Sequence, residues 1–330
     1  MRRREFITTL GAAVAARALP AHAQQPKRLP VVGLVGSSAP VVDMVGSNPG
    51  SQPIRGFVQQ LRDLDWIDGR NIVIELRSAE GDPQRAPAIF AELIARGVDV
   101  IAVTGALFLQ EAAQRATRTI PTVAHFAEDP IAAGLIASLA RPGGNLTGVT
   151  LFTGPEFYSK QLQFLQELAP RISRIAFLAT RRTLEHYRSV ARPLGAAVLP
   201  VEVDVAEHFE TAFAMIVRER ADAVIVGGGP LYYNHGPRVV AFAAERRLPA
   251  IYSFRESVAA GGLMAYGTSV VGNFRQMARL IDKILKGAKP AEPPVEQPTA
   301  FELVISAKTA AALGLTIPST LLAITDEIID

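Results

Sequence analysis

The sequence predicts an α/β protein built from two doubly wound lobes, each a parallel sheet between layers of helices. Three observations predict it. Short β-branched runs alternate with segments whose apolar residues recur at helical spacing, the pattern of βαβ units and parallel sheets. A Gly/Pro-rich stop, Arg141-Pro142-Gly143-Gly144-Asn145, divides that series into two runs of similar length. The chain's 330 residues also exceed what one core usually holds, so two domains are expected.

In chain order the first element is a leader, MRRREFITTLGAAVAARALPAHAQQ. Arg2, Arg3 and Arg4 form a positive flank, an apolar stretch follows to Ala16, and Ala21-His22-Ala23 offers small residues to a signal protease. That order is the layout of an export signal, and the apolar stretch is too short to span a membrane. Arg3-Arg4-Glu5-Phe6-Ile7 resembles the twin-arginine motif of the Tat pathway. Cleavage after Ala23 and a periplasmic mature protein are expected. The chain carries 34 Lys and Arg against 31 Asp and Glu. Removing the leader's four arginines and one glutamate leaves 30 of each sign. A neutral body argues against nucleic acid or an anionic membrane as partner. With no cysteine there is no disulfide, thiolate nucleophile or Cys-based metal site.

Strands are expected at 31–35, 71–77, 98–104 and 121–126. Between them Ile54, Phe57, Val58, Leu61 and Leu64, then Ile89, Phe90, Leu93 and Ile94, fall on helical stripes. A helix is expected at 131–140, after Glu128-Asp129-Pro130. Past the stop the cycle restarts: helix 156–168, strand 174–179, helix 184–192, strand 198–203, helix 207–218, strand 222–227, helix 237–246 and strand 250–254. Helices at 273–286 and 306–313 flank a proline-rich stretch, 289–298, which suits a chain crossing between lobes.

Chemistry is sparse. His125, His186, His208 and His235 show no metal-binding spacing and read as surface or hydrogen-bonded residues. There is no nucleophile elbow and no Walker loop. Gly227-Gly228-Gly229-Pro230 reads as a tight turn at a cleft. The candidates are the polar and aromatic residues at the carboxyl ends of strands, where open α/β sheets bind ligands. In the first lobe they are Ser37, Ser38, Thr104, Gly105 and Asp129. In the second they are Tyr232, Tyr233, Ser253, Phe254 and Glu256, with Phe152 after the stop. Thr104-Gly105-Ala106 opens a helix whose free N–H groups suit a carboxylate. Asp129 or Glu256 would receive an ammonium group, and the rings would close over an apolar side chain.

Four runs carry a resemblance: GRNIVIELRSAEGD, DPIAAGLIASLARPGGNLTG, LPAIYSFRESVAAGGLMAYG and the C-terminal KILKGAKPAEPPVEQPTAFELVISAKTAAALGLTIPSTLLAITDEIID. The chain resembles the ABC-transporter substrate-binding proteins that include tryptophan and tyrosine uptake receptors. The resemblance implies the type I periplasmic binding fold, with three crossovers near 145–150, 262–268 and 290–298. It implies lobes at 29–147 plus about 268–292 and at 148–267 plus about 293–330. It also implies a cleft lined at Ser37, Ser38, Thr104, Gly105, Asp129, Tyr232 and Ser253 to Glu256. The expected function is a monomeric solute receptor for an inner-membrane ABC permease, without cofactor, metal or enzymatic step. The expected solute is a hydrophobic or aromatic amino acid or a related carboxylate. Alternatives are a receptor for a membrane sensor kinase and a periplasmic enzyme using the same cleft. The sequence departs from many relatives in the bulk of Thr104 to Phe108 and in an insert at 41–49.

Overall fold

The structure of the protein, a computed structural model, describes residues 28–46, 48–151, 155–190, 197–298 and 300–330. The expected leader, 1–23, lies outside them. Five parallel strands form the first sheet, in the order β2-β1-β3-β4-β5. They are β1 (Val31–Gly36), β2 (Val73–Ser78), β3 (Val100–Gly105), β4 (Thr122–Phe126) and β5 (Leu146–Thr150). Helices α1 (Val41–Met44), α2 (Gln52–Asp63), α3 (Ala86–Ala95) and α4 (Leu107–Ala116) connect them. β1, β3 and β4 are mostly apolar and almost wholly buried, as parallel strands covered by helices must be.

The second half begins with α5 (Pro155–Leu168), β6 (Arg174–Ala179), α6 (Arg181–Val190), β7 (Ala197–Glu202) and α7 (Phe209–Arg218). It continues through β8 (Ala223–Val226), α8 (Pro230–Asn234), α9 (Gly236–Glu245), β9 (Ala250–Tyr252), α10 (Arg255–Ala259) and β10 (Met264–Gly267). Then come α11 (Val270–Leu285), β11 (Glu302–Ser306), α12 (Ala307–Leu313), α13 (Ser319–Leu322) and β12 (Glu327–Ile329). The second sheet runs β12-β11-β10-β9-β8-β6-β7, parallel except where β11 meets β10 antiparallel. That pairing arises because the chain reaches β11 from the first half and enters the sheet from the other end.

The path between the halves differs in detail from expectation. The stretch 146–150, expected as a crossover, is the edge strand β5, and the chain leaves the sheet only after Thr150. Leu146 and Val149 are buried. The second crossing follows β10. α11 then packs along α2 and across β3, β4 and β5. The third crossing skirts β5, where Thr147 Oγ1 donates to the Pro293 carbonyl at 3.0 Å and Val149 bridges Glu296.

The helix expected at 131–140 is absent; the segment is a chain of turns. Asp129 Oδ1 accepts from the N–H groups of Ile131 and Ala132 at 2.8 and 3.1 Å, which starts one turn. Gly134, at φ +69°, then ends it, and Leu135 N–H bonds back to the Pro130 carbonyl at 2.9 Å.

The single tryptophan ties the turn after α2 to α11. Trp66 Nε1 donates to Asp282 Oδ1 at 2.8 Å, and Lys286 Nζ lies 2.7 Å from the same oxygen. Asp282 is only 8% exposed, so losing the indole leaves a buried carboxylate short of a donor. Trp66→Phe is expected to cost about 1–3 kcal/mol, read by urea unfolding followed by far-ultraviolet circular dichroism. A variant as stable as the parent would show that water replaces the indole at no cost.

Candidate functional site

The carboxyl ends of the two sheets face each other across a cleft of about 590 Å³, its open mouth included. The first half supplies Ser37 and Ser38 after β1, Met44 from α1, Thr104 and Gly105 at the end of β3, and His125 from β4. Ile54 of α2 and Val270 and Phe274 of α11 add an apolar wall. The second half supplies Pro230, Tyr233 and Asn234 of α8 and Phe254 after β9. A second chamber of about 440 Å³ shares Ala127, Leu151, Gly229 and Phe254 with the first and adds Phe157, Tyr158 and Ser253. Among the described residues that line either chamber there is no Asp, Glu, Lys or Arg.

The two walls touch. Asn234 Nδ2 donates to Ser38 Oγ at 2.6 Å, and Arg182 Nη1 lies 3.0 Å from Glu128 Oε2. Gly105 faces Pro230 so closely that a Cβ there would lie 3.0 Å from Pro230 Cγ. These contacts describe a closed cleft.

Of the expected site residues, Ser37, Ser38, Thr104, Gly105 and Phe254 meet in the first chamber, and Ser253 with Phe254 in the second. Thr104 Oγ1 donates to the Val35 carbonyl at 3.3 Å. Ser253 Oγ donates to the Val226 carbonyl at 3.1 Å and accepts from Gln161 Nε2 at 3.3 Å. Phe152 lies outside the described residues. Three expectations need correction. Asp129 lines neither chamber, because its carboxylate is occupied as a turn cap. Tyr232 is 1% exposed and its hydroxyl donates to the Val203 carbonyl at 2.7 Å, which turns the ring into the core of the second half. Its neighbour Tyr233 takes the cleft position. Glu256 stands behind Tyr233, accepting from its hydroxyl at 3.4 Å. Burial raises the Glu256 carboxyl above the usual range.

The sequence reading missed Met44, Asn234, Phe274 and, above all, His125. Far from the surface, His125 is 5% exposed and lines the cleft. Its Nε2 is buried without a hydrogen-bond partner. Burial depresses the imidazole to a pKa of about 4, so it is neutral at pH 7. The signal was available: a single ionisable residue inside an otherwise apolar strand, one position from its carboxyl end. Burial with a weaker push from Glu128 raises the Tyr158 phenol to about 12.

Two wound α/β halves that close on a cleft between their carboxyl edges define a solute-binding protein of the type I periplasmic fold. The chain belongs to the ABC transporter substrate binding protein family, whose model matches residues 40–329. Members of that family bind a small solute and work with an ABC transporter permease, in the periplasm or outside the cell. Among the described residues no helix is long and apolar enough to cross a membrane. The tyrosine-binding protein of Clostridioides difficile (strain R20291) is 25% identical over 267 residues, 79% of this chain and 76% of that protein. A solved ABC domain in complex with L-Trp from Streptococcus pneumonia matches with a TM-score of 0.80 at 24% identity, over 91% of this chain and 100% of that one. A solute binding protein from Rhodopseudomonas palustris BisB5, solved with 3,4-dihydroxy benzoic acid, matches with a TM-score of 0.57 at 15% identity, over 80% and 83%.

Proposed function

We propose that this protein is the periplasmic receptor of an ABC importer and that it carries a small aromatic carboxylate, an aromatic amino acid or an aromatic acid, between its halves. The Tat-type leader at 1–23 takes it across the membrane, cleaved after Ala23. Closure follows from differential binding: a solute that touches both walls favours the closed form by the contacts absent from the open one. The closed form docks on the permease as a monomer, and the chain performs no chemical step.

The observation that carries this reading is the composition of the cleft. Met44, Ile54, Leu151, Phe254 and Phe274 offer apolar and aromatic surface, while hydroxyl, amide and imidazole groups supply neutral polarity. Such a cleft suits a flat, mostly apolar solute. The carboxylate end would lie at Gly105, which lines the cleft just before Ala106 and the uncapped N-terminus of α4, whose partial positive charge favours an anion. With Asp129 committed to its turn, an ammonium group would rely on carbonyls and hydroxyls, which places aromatic acids level with amino acids. The names of the relatives, which include tyrosine, L-Trp and 3,4-dihydroxy benzoic acid, support the same class.

The test is a thermal-shift panel of amino acids and aromatic acids on purified protein, unfolded and refolded to strip carried-over solute. A micromolar binder at millimolar concentration should add about 4 kcal/mol of stability. No shift with any aromatic carboxylate would overturn the proposal.

A further inference from the structure

The fold leaves the polar group of one cleft residue unused. Every residue of β4 is buried, and His125 is the ionisable one among them. In register it stands beside Thr104 of β3 and Val149 of β5, and its ring meets Phe274 of α11 edge-on, 5.3 Å between centroids. Nothing in this surrounding hydrogen-bonds Nε2. The strand needs no imidazole for its pairing: the backbone carbonyl of His125 is served by Gln110 Nε2 at 2.8 Å. A buried polar group without a partner costs stability, and native proteins seldom keep one without use. Several other polar side chains of the cleft are engaged within the protein: Thr104 with Val35, Asn234 with Ser38 and Tyr233 with Glu256.

The chemistry of a suitable partner follows from the walls. Phe274 stands against His125, and Met44, Ile54 and Val270 line the same chamber, which gives the ring of a solute an apolar seat there. We propose that His125 is the specificity-determining residue of the cleft, its imidazole hydrogen-bonding a hydroxyl or N–H carried on the ring of an aromatic solute. This rests on the solute class proposed above and narrows it to rings bearing a polar group. A neutral imidazole has one donor and one acceptor nitrogen and serves either a hydroxyl or a ring N–H; depression of its pKa to about 4 by burial keeps it in that form. A bare phenyl ring would leave the imidazole unpaired, and a site built to bond a polar group rejects the analogue that lacks it.

Two matched pairs test this: L-tyrosine with L-phenylalanine, and 4-hydroxybenzoate with benzoate. Dissociation constants are measured by calorimetry on refolded protein, His125→Phe and His125→Gln. In the parent the hydroxylated member of at least one pair should bind about 10–100-fold more tightly. His125→Phe should collapse that ratio to about one, and His125→Gln, which keeps a hydrogen-bonding side chain, should restore part of it. Equal affinities within each pair in the parent overturn the inference and leave the solute class standing, as does an undiminished ratio in His125→Phe. Failure of all four compounds to bind overturns the inference, and a flat thermal-shift panel as well overturns the solute class. If His125→Phe does not fold, the parent ratio and His125→Gln decide the matter.

Discussion

Gly105→Ala is expected to destabilise the protein by about 2–4 kcal/mol and to weaken solute binding at least about ten-fold. Two independent costs coincide at this position. Gly105 has φ +102°, a conformation that costs an L-residue roughly 1–2 kcal/mol. A Cβ there would also lie 2.1 Å from Ser37 Oγ and 2.8 Å from Ser37 Cβ. Rotating the hydroxyl away removes the first clash but not the second, so the loop after β1 must shift. The same Cβ would press on Pro230 across the cleft at 3.0 Å, so the closed form suffers more than the open one. Binding loss should therefore exceed what the general loss of stability explains. Denaturant unfolding and calorimetry on the same preparation separate the two. A fully stable variant with unchanged affinity would show that the backbone at β3 relaxes freely, contrary to its burial.

Acid should weaken the protein between pH 6.5 and pH 4, and His125 should account for a step of about 3 kcal/mol in that range. The folded protein holds His125 at a pKa of about 4, while the unfolded chain has the ordinary imidazole value of 6.5. Because the folded-state value is depressed, the unfolded chain takes up the proton first. The contribution is whole above pH 6.5, drains as pH falls, and is gone below about 4; the gap between the two values is worth about 3 kcal/mol. The ring's neighbours, Phe274, Thr104 and Val149, carry no charge that would soften the effect. Other groups titrate in the same range, so the informative quantity is the difference between parent and His125→Phe. The parent's urea midpoint, relative to that of His125→Phe, should fall progressively from pH 7 through 6 and 5 to 4. Parallel curves would mean that water reaches the imidazole.

What could be read in advance divides along physical lines. The strands of both halves were legible because parallel strands covered on two faces must be nearly continuous apolar runs, as in Val-Ile-Ala-Val-Thr-Gly of β3. The turns at 131–140 were not, because Ile131, Leu135, Ile136 and Leu139 mimic a helical stripe, and only the cap at Asp129 and the glycine at 134 decide otherwise. β10, β11 and β12 are three to five residues long, too short for periodicity to separate from loop. In the cleft, the rule that strand ends carry function located Ser37, Thr104, Gly105 and Phe254. It could not choose between Tyr232 and Tyr233, since adjacent residues on one helical turn face different ways and the choice belongs to the Val203 carbonyl. It overlooked Met44 and Phe274 because apolar residues on helices look the same whether they fill a core or line a cleft.

The order of elements has a consequence for synthesis. α11 covers β3, β4 and β5 and packs against α2, yet it is encoded after β10. When Thr150 leaves the ribosome the first sheet has all its strands, but roughly 120 further residues must be translated before Val270 starts the helix that seals it. At about 5–20 residues per second that interval is roughly 6–24 s, during which Phe57, Val123 and Val149, wholly enclosed in the finished molecule, lack their lid. The two halves cannot mature one after the other; the earlier-made half is completed only once most of the later one exists.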